Sequence, residues 1–246
     1  MMPSRKPPLQ PMLRASSHEL RVNGLLEACS PKLEADPAFT LTRGPNALLL
    51  TLVSRDGMNR LTREKVAALT VEIERMAAAN DPQPLIISGA GNFSAGADLN
   101  EIRSLTGAAA LDFARLGQSL MNALQNFPMP VIAAISGHCM GGGLDLALAC
   151  HRRIAAPHAV FGHRGAALGL ITGWGGTQRL PRLMGKARAL ELLICAEKLS
   201  GRRALEIGMI DALAEDPVSE ALRQLNSKRK DRVNENLRSR PAQKNS

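Results

Sequence analysis

The chain has 246 residues, of which 45% are hydrophobic, so it can bury one large core with at most a small appendage. Its four cysteines show no CxxC spacing, which argues against a disulfide framework and a zinc site and favours a reducing compartment such as the cytoplasm. The formal net charge of +9 comes largely from the tail at 227–246. Because the chain has a single Trp and no Tyr, it also lacks the aromatic side chains on which unpaired bases stack. We therefore expect no nucleic-acid partner.

The first 40 residues are rich in proline, serine and charge, which predicts a flexible N-terminal arm with one short helix near Glu19 to Ala28. The leader is basic and lacks acids before Glu19, as transit peptides do, but its prolines oppose the amphipathic helix that such peptides need. No run of about eighteen apolar residues occurs in the chain. We therefore expect a soluble, cytoplasmic protein without a membrane partner.

Beyond this arm, short apolar runs alternate with helical patterns. Runs bounded by glycine, proline or charge predict buried strands at 47–54, 85–89 and 131–137. Apolar residues at three- and four-residue steps predict a helix at 63–80, capped by Thr62, and two helical stretches within 99–127. This alternation predicts an α/β fold with buried, largely parallel strands.

The second half of the chain continues the alternation. A glycine turn at 140–143 opens a helix, and two short strands are expected around Pro157. Further helices are predicted at 177–197 and 200–210, each beginning near a threonine or serine cap.

Two loops of small residues each lead into a helix: FSAGAD at 93–98 and HCMGGG at 138–143. The first N–H groups of a helix have no partner within it and lie at the positive end of its dipole, so they suit a developing oxyanion. Small residues matter here because a larger side chain would keep a ligand away from the backbone. Either loop alone is equally consistent with a simple tight turn.

Five ordered segments resemble landmarks of the enoyl-CoA hydratase/isomerase (crotonase) family: FSAGADLNEI, PVIAAISGHCMGGGLDLALAC, VFG, LGLITGWGGTQRLPRLMGKARALELL and SGRRALEIGMID. The resemblance covers roughly residues 46 to 213. It implies a spiral of ββα units and an acyl-CoA substrate whose phosphates suit the positive charge of the chain. It also implies that the N–H groups of Ala97 and Gly142 stabilise a thioester enolate or oxyanion.

The resemblance also locates the coenzyme A portion of the substrate. SRDGMNRLT is similar to the family segment that borders the coenzyme A pocket, which places four residues beside it: Arg55, Asp56, Gly57 and Met58. Ala95 corresponds to the position whose backbone carbonyl meets the adenine. Gly173 corresponds to a small residue that borders the acyl chemistry.

Hydratases of this family carry two glutamates, and this chain departs from that pattern. Asp145 stands at the first position and Gly165 at the second. One carboxylate is thus kept, shortened by a methylene, and the other is missing. Because Asp145 lies in the largely apolar stretch LDLALA, we expect a buried functional carboxylate and not a solvated one.

His163 stands where hydratases place a polar residue that orients the first carboxylate. It is therefore the candidate to share a proton with Asp145, the alternative being a purely structural histidine. His138, just before the glycines, is a weaker candidate, and Asp98 is expected to cap a helix. The serines flanking the glycine loops lie in no GxSxG motif, which disfavours acyl hydrolysis.

The sequence therefore predicts an acyl-CoA lyase or isomerase of the enoyl-CoA hydratase type. Two alternatives remain: an acyl-CoA-binding protein of the crotonase fold with little or no turnover, and a decarboxylase that needs only the oxyanion hole. Neither a Walker loop nor a dinucleotide fingerprint is present. We expect no metal and no cofactor apart from the coenzyme A of the substrate.

We expect the chain to fall into an N-terminal arm at 1–40, a core at 41–213, and a short C-terminal helix with a basic tail at 214–246. Family members usually have several more helices after the core, whereas here one helical segment at 216–228 precedes the tail. This shortened C-terminal helical region predicts an open side of the acyl pocket and a homo-oligomer with altered assembly.

Overall fold

A computed structural model describes the backbone of residues 27–28 and 38–238 and the side chains of residues 38–227. Most of the predicted arm, with most of the helix predicted near Glu19 to Ala28, lies outside the described residues. Glu27–Ala28 is strand β1, which pairs antiparallel with β2, Phe39–Arg43. The helix prediction is wrong for these two residues because pairing with a neighbouring strand determines their conformation.

Seven strands form the main sheet in the order β1-β2-β3-β4-β5-β7-β10. The remaining members are β3 (Leu48–Leu52), β4 (Leu85–Gly89), β5 (Val131–Ile135), β7 (Arg152–Ala155) and β10 (Ala212–Leu213). Neighbours are parallel from β3 to β10, whereas β2 runs antiparallel to β3. The predicted strands and their largely parallel arrangement are confirmed.

A smaller sheet positions the loops of the later site. It contains β6 (His138–Met140), β8 (Val160–Gly162) and β9 (Leu199–Ser200), with β6 parallel to β8 and β8 antiparallel to β9. Isolated bridges join Leu61 to Ala97 and Ser94 to Cys139. The first bridge joins the loop before Asp98 to the segment that precedes Arg63, and the second joins the same loop to β6, the strand that leads into the glycine turn.

The helices are α1 (Arg63–Ala77), α2 (Leu99–Ser104), α3 (Gly107–Gln125), α4 (Gly142–Ala149), α5 (Gly176–Met184), α6 (Lys186–Cys195), α7 (Gly201–Glu206) and α8 (Pro217–Arg238). The predicted Thr62 and Ser200 caps accept the N–H groups of Lys65 and Arg203. Successive elements repeat a ββα order in β2-β3-α1, β5-β6-α4 and β7-β8-α5. None of the described helices is long and apolar enough to cross a lipid bilayer.

The single helix predicted at 177–197 is wrong. Gly185 divides it into α5 and α6 because its φ of 85° lies in the left-handed region, which ends a helix and favours glycine. Helix α5 also begins at Gly176, after Gly175, and not at a Thr177 cap.

The central strands β3, β4 and β5 lie between two apolar clusters, which explains their nearly continuous apolar sequences. On one face, Leu50 and Ile87 join a large cluster that includes residues of α1 and α3. On the other face, a smaller cluster packs beneath α8: Ala47, Ile86, Ile132, Ala134, Ile154, Ala221 and Leu225.

Candidate active site

A cavity of about 430 Å³ is lined by α2, α3, the start of α4 and the loop that follows β8. We call it the front cavity. Seven of the predicted site residues lie in its walls: Ala95, Ala97, Gly142, Asp145, His163, Gly165 and Gly173. Residues that are distant in sequence are thus brought to one surface.

Two backbone N–H groups, those of Ala97 and Gly142, lie close together in the wall of the front cavity. Gly142 is the first residue of α4, and a Cβ placed on it would lie 3.3 Å from the Ala97 nitrogen. Among the described residues, neither the N–H of Ala97 nor that of Gly142 has a hydrogen-bond partner. The two donors are close together and free to bind an oxygen atom, as an oxyanion hole requires.

The loops around these donors depend on glycine at two positions. Gly96 has a φ of 91°, and a Cβ there would lie 2.6 Å from the Met140 carbonyl oxygen and 2.9 Å from the Gly142 nitrogen. Gly141 has a φ of 51°, also in the left-handed region. Only a chain without side chains at these points brings the two N–H groups so close.

Asp145 lies in the first turn of α4, next to these donors, and is 2% exposed. Its Oδ2 accepts the hydroxyl of Thr172 at 2.6 Å, and its Oδ1 lies 3.3 Å from His163 Nε2. Burial lowers the pKa of the Arg179 guanidinium, and the charge of Asp145 opposes that shift. The carboxylate is therefore held by hydrogen bonds and by the positive end of a helix.

His163 is buried beside Asp145 and lines the same cavity. With Nε2 directed at the carboxylate, its Nδ1 is buried and has no hydrogen-bond partner among the described residues. A buried ring nitrogen without a partner is costly in a purely structural residue. The predicted contact between Asp145 and His163 is present in the folded chain.

The sequence model of the family described as enoyl-CoA hydratase/isomerase matches residues 43–239. The chain belongs to this family. The predicted resemblance to the crotonase family is confirmed.

Individual relatives support the same conclusion. The chain is 50% identical over 134 residues to a "Probable enoyl-CoA hydratase" of Bacillus subtilis (strain 168), a match that covers 54% of this chain and 52% of the relative. The chain thus spans about half the length of that curated relative.

Solved structures confirm the fold. An enoyl-CoA hydratase from Bacillus anthracis superposes with a TM-score of 0.74 at 31% identity, covering 78% of this chain and 76% of that one. Pseudomonas aeruginosa DspI gives a TM-score of 0.75 at 32% identity, covering 81% and 77%. The predicted α/β class with crotonase-like architecture is therefore correct.

Gly165, which stands where the resemblance predicts the second glutamate of the family's hydratases, begins a tight turn. Its carbonyl accepts the N–H groups of Leu168 and Leu170. A Cβ on Gly165 would lie 2.7 Å from the Leu170 carbonyl oxygen. We call residues 165–172 the 165–172 turn. Its backbone packs so closely at position 165 that a side chain there would clash with the Leu170 carbonyl.

The segment that resembles the family's coenzyme A border lies beside the front cavity and outside its walls. The Ala95 N–H donates to the Met58 carbonyl at 2.8 Å, which joins this segment to the loop that carries Ala97. The Met58 N–H, Arg60 and Ser54 lower the pKa of Asp56 to about 2. The chain therefore presents a structured loop here, with the exposed side chains of Arg55 and Arg60 on it.

Two residues of the site were missed by sequence reasoning. Trp174 is 4% exposed, packs edge-on against Phe113 with ring centroids 5.3 Å apart, and donates to the Phe113 carbonyl. Thr172 holds Asp145. The sequence did contain one signal for Trp174: it is the single tryptophan of the chain, and it directly follows the segment ITG, which resembles the family.

The remaining candidates have structural contacts. Asp98 caps α2 by accepting the Asn100 N–H at 2.7 Å, as predicted. His138 lies 2.9 Å from Asn92 Oδ1 through its Nδ1 and is not among the residues that line the front cavity. Among the described residues, no group of three or more His, Cys, Asp and Glu side chains is arranged to hold a metal ion.

Proposed function

We propose that this chain binds an acyl-CoA thioester in the front cavity and holds its carbonyl oxygen with the N–H groups of Ala97 and Gly142. The observation that carries the proposal is the pair of partnerless N–H groups beside the buried Asp145–His163 pair. The coenzyme A portion would lie along the loop of Arg55, Gly57 and Met58, next to Ala95. The thioester carbonyl would then point at the start of α4.

The two N–H groups favour reactions in which the carbonyl oxygen gains charge. When a proton leaves C2 of the acyl group, the electron pair moves onto the thioester oxygen and forms an enolate. Donors fixed at that oxygen stabilise the enolate more than the neutral substrate, which lowers the barrier. Removal of one such donor in other enzymes costs about 10²–10³ in rate.

Asp145 and His163 are the groups that would carry the proton. Thr172 and His163 hold both carboxylate oxygens, and each oxygen keeps a further lone pair. A proton taken from C2 can be returned to C4, which moves a double bond from the 3- to the 2-position with one proton carrier. Hydration of a 2-enoyl-CoA also needs a second acid–base group to hold the water, and Gly165 supplies none.

We therefore infer that isomerisation of a 3-enoyl-CoA is faster than hydration of a 2-enoyl-CoA. The second candidate is a decarboxylase, because an enolate formed by loss of CO₂ requires the two N–H donors and no base. It is favoured by one observation: the Asp145 carboxylate is 2% exposed and already hydrogen-bonded at both oxygens.

Turnover of 2-enoyl-, 3-enoyl- and malonyl-type CoA thioesters by the purified chain tests these proposals. We expect 3-enoyl-CoA turnover, with kcat reduced by about 10²–10⁴ in Asp145→Asn and in His163→Ala and with a nearly unchanged KM. Asp81→Asn, in an exposed loop, is the matched control and should behave as wild type.

Each alternative has its own result. Malonyl-type turnover that is unchanged in Asp145→Asn would identify the decarboxylase. Tight binding of a non-hydrolysable CoA analogue without turnover of any thioester would identify a binding protein. Fast hydration of crotonyl-CoA that survives both substitutions would contradict the assigned proton carriers.

A further inference from the structure

One side chain, that of Asn92, joins the loop that resembles the family's coenzyme A border to the strand that leads to Gly142. The Asn92 Nδ2 donates to the Gly57 carbonyl at 3.0 Å and lies 3.8 Å from Met58 Sδ. The Asn92 Oδ1 accepts the backbone N–H of His138 at 2.9 Å. Asn92 therefore links two segments that are distant in sequence and that border different parts of the proposed substrate.

The chemistry of its partners fixes the orientation of the Asn92 amide. A backbone carbonyl only accepts and a backbone N–H only donates, so the amide nitrogen must face Gly57 and the amide oxygen must face His138. The ring Nδ1 of His138 also lies 2.9 Å from Asn92 Oδ1, and because that oxygen accepts, this ring nitrogen carries a proton. A Cβ on Gly137 would lie 2.5 Å from the same oxygen. The amide is therefore held in one orientation in a closely packed place.

Both proposed oxyanion donors lie shortly after the two segments that Asn92 joins. Ala97 follows Asn92 by five residues, and Gly142 follows His138 by four. Between these points the backbone of Ser94 both donates to and accepts from the backbone of β6, so the two segments run side by side toward the donors. A displacement at the Asn92 amide would therefore change the spacing of the two N–H groups.

We propose that Asn92 is a positioning residue: coenzyme A bound beside Gly57 sets, through the Asn92 amide, the spacing of the two N–H donors. The inference rests on the proposed function, since it needs a CoA thioester at these donors. Binding energy from the nucleotide of coenzyme A, which does not react, is then used to assemble the oxyanion hole, so it raises kcat and not only affinity. Asn92 is not among the residues that line the front cavity, so it acts through its neighbours and not on the reacting atoms.

Steady-state kinetics with two thioesters of the same acyl group test the proposal. One is the CoA thioester, and the other is the pantetheine thioester, which keeps the reacting group and lacks the nucleotide. Asn92→Asp keeps the shape of the side chain and an acceptor for His138, but it places a carboxylate oxygen against the Gly57 carbonyl in place of a donor. We expect kcat for the CoA thioester to fall about tenfold, the size of effect that loss of such a hydrogen bond has. With the pantetheine thioester we expect a loss of about twofold or less, because it lacks the nucleotide whose binding Asn92 transmits.

A second variant and a control complete the experiment. His138→Ala removes the ring donor to Asn92 Oδ1 and keeps the backbone N–H, so we expect the same difference between the two thioesters with a loss of about threefold for the CoA thioester. This variant decides the inference if Asn92→Asp melts below the assay temperature. Asn80→Asp is the matched control, because it makes the same chemical change in an exposed loop outside the front cavity. It should keep the wild-type kinetics with both thioesters.

The results that would overturn the inference differ in what they leave standing. Equal losses of kcat with the two thioesters in Asn92→Asp would show that Asn92 only stabilises the fold. A higher KM for the CoA thioester with unchanged kcat would show that it contributes to binding alone, and wild-type kinetics in both variants would show that it contributes to neither. In these three cases the proposed function stands. If the wild-type chain turns over neither thioester, the inference and the proposed function both fall.

Discussion

Gly142, whose N–H is one of the two proposed oxyanion donors, lies against the ring of Trp174. A Cβ on Gly142 would lie 2.4 Å from the indole ring. The ring itself is fixed, because Phe113 packs against it and accepts its N–H. An added methyl group must therefore move either the ring or the start of α4.

We expect Gly142→Ala to lower kcat/KM by about 10²–10³, since displacement of one oxyanion donor has an effect of this size. Steady-state kinetics with the best thioester measures it, and thermal melting checks that the fold persists. Gly107→Ala is the control, because a Cβ at Gly107 would meet no atom within 4 Å. Wild-type kinetics in Gly142→Ala would show that this N–H does not contact the substrate.

At the residue scale, the sequence predicts those site residues whose type differs from that of their neighbours in the chain. Asp145 was predicted to be buried because it interrupts an apolar stretch, and it is 2% exposed. Thr172 and Trp174 were missed, because a threonine and a tryptophan in a glycine-rich loop have many roles. Their contacts with Asp145 and Gly142 join positions 27 and 32 residues apart, so only the folded chain reveals them.

At the scale of elements, the packing of the 165–172 turn determines which side chains position 165 can accept. By the resemblance, replacing Gly165 with Glu would give this position the carboxylate that the family's hydratases carry. In the structure, however, its Cβ would lie 2.7 Å from the Leu170 carbonyl oxygen, which is backbone and cannot rotate away. The 165–172 turn would have to move.

We therefore expect Gly165→Glu to leave crotonyl-CoA hydration slow and to destabilise the chain by about 1–3 kcal/mol, as overpacking does. Urea unfolding and hydration kinetics measure the two effects. Gly165→Ala is the informative partner, because it adds the same Cβ without a carboxylate and should destabilise comparably. A large gain in hydration by Gly165→Glu with unchanged stability would show that the turn adapts.

Elements with local signals were predicted well, and those defined by distant partners were not. Thr62 caps α1, and the apolar run at 85–89 is strand β4, because each signal acts within a few residues. Strands β9 and β10 contain two residues each and exist through pairing with β8 and β7. The left-handed Gly185 broke a helical pattern that the neighbouring apolar residues continued.

At the scale of the whole molecule, part of the wall of the front cavity is formed by the larger apolar cluster. Phe113 and Trp174, which line the cavity, belong to that cluster, and so do Cys139 and Cys150. Cys139 lies on β6 just before the glycine turn, and Cys150 follows α4. These two thiols therefore report on the packing that holds the proposed oxyanion donors in place.

Thiol labelling can measure how often this core opens. Burial raises the pKa of Cys150 to about 12 and that of Cys139 well above its usual value, so both remain neutral thiols near pH 8. A thiolate is the reactive form, and a buried thiol also excludes the reagent. Cys195 is exposed. In native buffer we expect a thiol reagent to label Cys195 quickly and to leave Cys139 and Cys150 unmodified.

In denaturant, Cys139 and Cys150 should become labelled together, at a rate that follows global unfolding measured by Trp174 fluorescence, because all three side chains lie in one cooperative cluster. The assay uses Cys29→Ser as its background, since Cys29 lies outside the described residues. Cys195→Ala is the control that should abolish the fast phase. Rapid labelling of Cys139 in native buffer, with Cys150 still protected, would mean that β6 and the glycine turn open independently of the core. The two N–H donors would then be assembled by the ligand and not by the fold.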